Sequence, residues 1–317
     1  MIEQKIPVFD NILEANERIK HQVKHTPVLT SQSINDILGC SIFFKCENFQ
    51  KVGAFKFRGA SNAVLSLNEK QSRNGVATHS SGNHAQALAL AGSMRNIPSY
   101  IVMPDNSPKV KSDAVAGYGG NIIYCKPTLE ARESTLEKVV KETGAEFIHP
   151  YNNFNVICGQ GTAALELLRE IKELDIVMTP VGGGGLLSGT SISVKALSPN
   201  TLVIAGEPKG ADDAFKSLQK GEIVPSLNPK TIADGLLTSL GILTFEIIRS
   251  NVSEIITVSE ESIISAMRLI WERMKIIIEP SSAVPVAVIM DNKDKFSGKR
   301  VGIILSGGNV DLGKLPF

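Results

Sequence analysis

Lys56 lies in Gly53-Ala54-Phe55-Lys56-Phe57-Arg58-Gly59, between two phenylalanines, whereas most other lysines sit among Glu, Asn and Ser. An amine held in apolar surroundings loses its proton more easily and becomes a nucleophile able to form Schiff bases. The plainer alternative is a solvated lysine. A second candidate is the run Gly182-Gly183-Gly184-Gly185, which ends an apolar stretch and leads into Leu186-Leu187-Ser188-Gly189. Four glycines let backbone N–H groups turn inward at a helix N-terminus, whose partial positive charge suits a phosphate. A tight strand-to-helix turn without a ligand is the competing reading. No lysine follows the run, so it is not a Walker A loop. The G-x-G-x-x-G spacing fails as well, because Leu187 and Ser188 stand where a third glycine belongs. A monophosphate therefore fits better than a dinucleotide.

Two further loops follow apolar runs: Ser80-Ser81-Gly82-Asn83-His84-Ala85-Gln86 and Ser306-Gly307-Gly308-Asn309. Ser and Asn at a helix start serve as caps, and this first loop offers more polar groups than a cap uses, enough to hold a carboxylate. A phosphate cradle together with a reactive lysine points to pyridoxal phosphate, which needs both an imine partner and a phosphate site. His21 and His25 stand at i, i+4, a spacing that chelates a metal on a helix, but no third ligand is near.

These loops need strands and helices to bring them together. Short apolar runs at 41–45, 76–78, 99–103, 121–125, 176–181, 202–206, 254–258 and 301–305 read as strands, and 129–143, 161–173 and 260–274 as amphipathic helices. Alternating β and α with non-alternating apolar strands predicts parallel sheets covered on both faces. In such sheets ligands bind beyond the carboxyl ends of the strands, where the glycine loops fall. The 317 residues suggest two domains at about 150 each. A small domain over 75–152 is expected as an insertion in a large one formed by 1–74 and 153–317. With 33 basic and 32 acidic residues the net charge is +1, which gives no nucleic-acid footprint. The longest apolar run, 283–290, is too short to span a bilayer. Residues 1–13 lack a secretory pattern, and Cys40, Cys46, Cys125 and Cys158 show no C-x-x-C spacing, so a cytoplasmic protein with reduced thiols is expected.

Taken together, Gly-Ala-Phe-Lys56-Phe-Arg-Gly, Ser80-Ser-Gly-Asn-His-Ala-Gln86, the tetraglycine and Ser306-Gly-Gly-Asn-Val-Asp-Leu312 resemble the fold-type II pyridoxal-phosphate enzymes, specifically the serine racemase and serine/threonine dehydratase group, over nearly all of the chain. The resemblance implies an α/β fold of the tryptophan synthase β type, with two open, twisted, mostly parallel sheets and helices on both faces. It implies that Lys56 binds the cofactor and moves the substrate α-proton on one face. Gly182, Gly183, Gly184 and Gly185 would hold the phosphate, Asn83 the 3-hydroxyl and Ser306 the ring nitrogen, with Glu279 beside the cofactor. Ser80, Ser81, Gly82, Asn83, His84 and Arg132 would meet the substrate. Ser81 matches the second acid/base that racemisation requires on the opposite face. Glu207, the Ala211 carbonyl and Asp213 resemble a divalent-cation site suited to Mg²⁺, Mn²⁺ or Ca²⁺, although two acids this close across a turn also fit a plain surface. Lys51 and Asn309 match residues of a nucleotide site for ATP, whereas Val52 departs from the small hydroxyl residue usual there. Tyr151 stands where vertebrate racemases carry Asn. The expected activity is interconversion of L- and D-serine with accompanying elimination to pyruvate and ammonia, in a homodimer. The alternatives are a threo-3-hydroxyaspartate or serine/threonine dehydratase, with Arg132 clamping a second carboxylate, and a non-catalytic sensor of pyridoxal phosphate or nucleotide.

Overall fold

The computed structural model describes residues 5–107 and 109–317. Ten strands occur among them: Val28–Leu29 (β1), Ser41–Cys46 (β2), Val76–His79 (β3), Ser99–Pro104 (β4), Asn121–Cys125 (β5), Glu146–Phe147 (β6), Ile176–Pro180 (β7), Leu202–Pro208 (β8), Glu254–Val258 (β9) and Arg300–Leu305 (β10). They form two sheets. One has six strands in the order β1-β2-β10-β7-β8-β9, parallel except for β1, and the other four parallel strands in the order β5-β4-β3-β6. The fold is the expected α/β architecture of two mostly parallel sheets.

Every residue of β7 is buried because helices cover both faces. On one side Met178, Ile204 and Ile303 pack with Ile263 and Met267 of the helix Glu260–Met274 and with Val284 and Val288 of the helix Pro280–Asp291. On the other, Val177, Val203 and Ala205 meet Leu167 and Leu168 of the helix Phe154–Glu170 and Leu187 and Val194 of the helix Gly185–Leu197. The smaller sheet repeats the plan. Val76, Ile101 and Met103 pack on Ala85 and Leu88 of the helix Asn83–Met94, while Ala77 and Val102 pack on Leu136 and Val139 of the helix Leu129–Thr143.

All eight expected strands form, their ends displaced by two residues at most. The two-residue strands β1 and β6 are additions, too short to carry a periodic signal. The helix expected over 161–173 starts earlier, at Phe154, where the Asn153 side chain accepts the Val156 N–H at 3.0 Å. Its glycines do not break it; they let neighbours close in, since a Cβ at Gly159 would meet the Arg58 carbonyl oxygen at 2.6 Å. His21 and His25 lie after the first helix, Phe9–Ile19, so the helical spacing that favours chelation is absent.

Candidate active site

Lys56 is the first residue of the helix Lys56–Leu65. The approach to it is fixed by β10: the Phe55 N–H donates to the Ser306 carbonyl at 2.9 Å, and Ala54 forms a bridge with Gly307. Val52 and Gly53, at φ +56° and +67°, turn the chain into that position. The Lys56 Nζ donates to the Pro150 carbonyl at 2.9 Å and lies 5.1 Å from the Phe55 ring centre. Burial pulls its ammonium down to about 8, against the opposing Glu279 carboxylate. Phe57, by contrast, is fully buried in the core of the smaller sheet.

The tetraglycine runs from the end of β7 into the helix Gly185–Leu197. Side chains are excluded there by packing. A Cβ at Gly182 would meet the Leu236 Cα at 2.8 Å, one at Gly183 would overlap the Tyr151 ring, and Gly184 takes φ +87°. The Thr244 hydroxyl donates to the Gly183 carbonyl at 2.9 Å. The helix start leaves its first N–H groups without intrahelical partners, which fits a phosphate.

Ser306, buried at the end of β10, shares a 3.0 Å hydrogen bond with Ser282, whose hydroxyl also accepts the Gly307 N–H at 2.7 Å. Asn83 donates to both Glu279 oxygens, at 3.2 and 3.0 Å, and accepts from the Asn309 amide at 2.9 Å. Burial pushes the Glu279 carboxyl up to about 7, while the Asn83 bond opposes. His84 Nε2 reaches the Ile148 carbonyl at 3.2 Å, and burial holds its ring neutral, down to about 3. Ser80 orients the loop by accepting the Gly82 N–H at 3.3 Å, and the Ser81 hydroxyl has no hydrogen-bond partner among the described residues. Asn83, Glu279 and Ser306 are thus joined by hydrogen bonds through Gly307 and Ser282, and Lys56, held by Pro150, feels the Glu279 charge. The set is anchored on 148–150 and backed by the tetraglycine through Tyr151. An amine with a loosened proton, a glycine loop at a helix start and a buried hydroxyl at the far strand end fit pyridoxal phosphate.

Three other groups lie around these residues. Arg132 is half-buried on the helix Leu129–Thr143, its Nε donating to the Thr128 carbonyl at 3.4 Å, and its charge bears on His79 at the end of β3. Lys51 lies over Phe57 with 5.4 Å to the ring centre, while Asn309 also donates to the Val52 carbonyl at 2.7 Å. Glu207, at the end of β8, accepts the Ala214 and Phe215 N–H groups at 2.9 and 2.8 Å and so caps the helix Asp213–Lys220. Asp213 is buried with neither carboxylate oxygen partnered among the described residues. Burial raises Glu207 to about 8 and Asp213 to about 6. Two buried acids, one of them orphaned, beside the Ala211 turn fit a divalent cation, although no group of three ligating His, Cys, Asp or Glu side chains occurs among the described residues.

Sequence reasoning passed over Ser282 and the buried ion cluster behind Lys56. In that cluster Arg58 forks onto Glu47 (2.7 and 2.8 Å) and Glu166 (2.7 and 2.8 Å), and Lys45 joins Glu166 at 2.6 Å. The only signal for Ser282 was its place in the first turn after Glu279-Pro280. The ion cluster spans residues more than a hundred positions apart and leaves no local pattern.

Residues 19–307 match the family model for pyridoxal-phosphate dependent enzymes. The chain is 52% identical to a beta-hydroxyaspartate dehydratase of Paracoccus denitrificans, over 98% of this chain and 99% of that protein. It is 53% identical to a serine racemase of Dictyostelium discoideum, over 96% and 95% respectively. The solved structure of maize serine racemase superposes with a TM-score of 0.95 at 46% identity, covering 98% of this chain and 95% of that one.

Proposed function

The chain belongs to the family of pyridoxal-phosphate dependent enzymes, and on that basis we propose that it is a serine racemase that also eliminates the β-hydroxyl of serine. Bound pyridoxal phosphate supplies an electron sink for the bonds of the substrate α-carbon. Lys56, poised near neutrality, takes the α-proton on one face and returns it. Ser81, whose hydroxyl is otherwise unengaged, serves as acid and base on the other. Gly182, Gly183, Gly184 and Gly185 hold the phosphate, and Asn83 and Glu279 border the ring. Ser306 faces the ring nitrogen with a neutral hydroxyl, which moderates the sink and works against transamination. Ser80, Gly82 and His84 complete the cup for the substrate carboxylate. When the β-hydroxyl leaves instead of a proton arriving, serine gives pyruvate and ammonia, with the water lost in elimination taken up again in hydrolysis.

The observation that carries this reading is the buried Lys56 amine, its proton loosened by burial and its Nζ held on the Pro150 carbonyl. Chiral analysis of product from L-serine tests it. Lys56→Ala should abolish all turnover, and Ser81→Ala should lose D-serine formation while keeping most pyruvate release. Normal racemisation by Ser81→Ala would sink the two-base assignment. A second reading, dehydration of threo-3-hydroxyaspartate, rests on Arg132 beside His79, a cationic edge that can clamp a distal carboxylate. Pyruvate-forming turnover of serine exceeding the release of oxaloacetate from L-threo-3-hydroxyaspartate decides for serine.

The same proposal assigns a cation, Mg²⁺ or Mn²⁺ or Ca²⁺, to Glu207, Ala211 and Asp213, and an ATP effector to Lys51 and Asn309. It takes the protein as a cytoplasmic homodimer in which 75–152 closes over the substrate against 1–74 and 153–317. No helix among the described residues is long and apolar enough to cross a membrane.

A further inference from the structure

Ser282 stands in the first turn of the helix Pro280–Asp291, against the loop that follows β10, and is buried together with Ser306 and Gly307. Three groups surround its hydroxyl oxygen. The Gly307 N–H donates to it at 2.7 Å, the Gly307 carbonyl accepts from it at 2.7 Å, and the Ser306 hydroxyl lies at 3.0 Å. A hydroxyl carries one hydrogen and two lone pairs. The Ser282 hydrogen goes to the Gly307 carbonyl, the nearer of its two acceptors and at the distance usual for an O–H···O bond. One lone pair takes the Gly307 N–H. Only a lone pair is left for Ser306, so the 3.0 Å contact uses the hydrogen of Ser306. The Ser306 hydroxyl has no other partner among the described residues. Gly307 is itself fixed, since its carbonyl also accepts the Glu279 N–H at 3.0 Å and a Cβ there would meet a Glu279 carboxylate oxygen at 2.8 Å.

We propose that Ser282 is a positioning residue that gives the Ser306 hydrogen a place to go other than the ring nitrogen of bound pyridoxal phosphate, and so keeps that nitrogen more basic than Ser306 alone would leave it. This rests on the assignment of Ser306 to the ring nitrogen made above. With a proton on the nitrogen, the bonds run one way: ring N–H to Ser306, Ser306 to Ser282, Ser282 to the Gly307 carbonyl. Every donor then meets an acceptor, and aligned bonds strengthen one another. Without a proton on the nitrogen, Ser306 must turn its hydrogen to the ring, and the second lone pair of Ser282 is left buried and unpaired. Ser282 thus favours the protonated form and offsets part of the moderation that Ser306 imposes. A stronger sink lets charge persist at the substrate α-carbon, which proton return on the opposite face needs and loss of the β-hydroxyl does not. The charged groups that face this chain of bonds are Glu279, lying against Gly307, and Lys56, next to the Phe55 that Ser306 holds. Neither bonds the Ser282 hydroxyl, so both act alike in every variant of it.

The test reads the ¹⁵N resonance of ring-labelled pyridoxal phosphate bound to the full chain, titrated over about pH 5 to 9. The resonance moves from the pyridine to the pyridinium position as the nitrogen takes up a proton. Ser282→Ala removes the acceptor, and Ser282→Cys keeps a side chain of similar shape whose sulfur accepts only weakly. In both, the inflection should fall by about 0.5–1 pH unit, the size that one net hydrogen bond implies, and the ratio of D-serine formed to pyruvate released should fall with it. Ser282→Thr retains the hydroxyl and should hold the wild-type inflection; a fall equal to that of Ser282→Ala would point to packing and overturn the proposal. An inflection unmoved or raised in Ser282→Ala and Ser282→Cys, or absent from wild type and variants alike over this range, would overturn it as well. Ser306→Ala separates this role from the reading beneath it. If Ser306→Ala leaves the titration unmoved, Ser306 does not face the ring nitrogen and both fall. If it moves the titration and the Ser282 variants do not, only the role of Ser282 falls. In a chain already carrying Ser306→Ala, Ser282→Ala should have no further effect, and an undiminished one there would show that Ser282 acts by another route.

Discussion

Lys56 shows how little backbone is needed to change an amine's character. A group whose proton affinity falls from 10.5 to about 8 is about one-tenth neutral at pH 7. Capture of pyridoxal phosphate by the cofactor-free chain should therefore accelerate with pH through an inflection near 8, followed by stopped-flow absorbance. An inflection near that of a free lysine would show that burial does not tune this amine. The sequence disclosed Lys56 because its flanking residues are apolar, yet only Phe55 lies over the amine, and the groups that hold it, Pro150 and Glu279, come from elsewhere in the chain. Ser81 and the tetraglycine were legible because such polar or glycine-rich runs exceed what a turn requires. Ser282 was not, since a serine in the first turn of a helix has an ordinary reason to be there.

The glycine loop and the helix that carries Lys56 are held by packing and by charge, respectively. At Gly183 an added methyl would overlap the Tyr151 ring. Gly183→Ala should cost about 1–3 kcal/mol of stability as an overpacked site. It should also weaken cofactor binding, read by thermal unfolding and by absorbance titration; unchanged affinity would argue that the loop tolerates displacement. The Lys56–Leu65 helix is tied down by Arg58, which is fully buried with Glu47 and nearly buried Glu166. Arg58→Met leaves buried Glu47 with only the Thr26 hydroxyl and Glu166 with Lys45, and should destabilise by about 3–5 kcal/mol, seen as a lower urea midpoint. A loss below about 1 kcal/mol would mean the cluster relaxes or hydrates. Strand positions were readable because buried parallel strands are continuously apolar. The early start of the helix Phe154–Glu170 was obscured by Gly159 and Gly161, whose role is close approach to neighbouring backbone rather than chain reversal.

At the level of the whole molecule, three buried acids, Glu207, Asp213 and Glu279, keep protons in the folded state that they would release when unfolded. These three acids then bind more protons folded than unfolded across roughly pH 4 to 8, so their contribution to stability falls as pH rises through that window, while His84 and His149, which burial keeps neutral, act in the opposite sense below about pH 6.5. A divalent cation at Glu207 and Asp213 replaces those protons. Mg²⁺ should therefore raise the melting temperature at pH 8, by the few degrees that about 2.7 kcal/mol at a hundredfold excess over its dissociation constant implies, and have almost no effect at pH 5. Equal shifts at both pH values would place the cation elsewhere. The pairing of sheets was legible only as a class: no local signal says that β10, the strand latest in the chain, lies between β2 and β7. That order has a bearing on synthesis. Arg300 pairs with Ser41 across most of the chain, so the six-stranded sheet stays split into β1-β2 and β7-β8-β9 until β10 leaves the ribosome. The four-stranded sheet, made wholly from residues 76–147, can close long before. Because Ser306 and Gly307 follow β10 and fix the approach to Lys56, the nascent chain acquires its cofactor pocket only after β10 has been made, and until then Lys56 lacks the burial that loosens its proton.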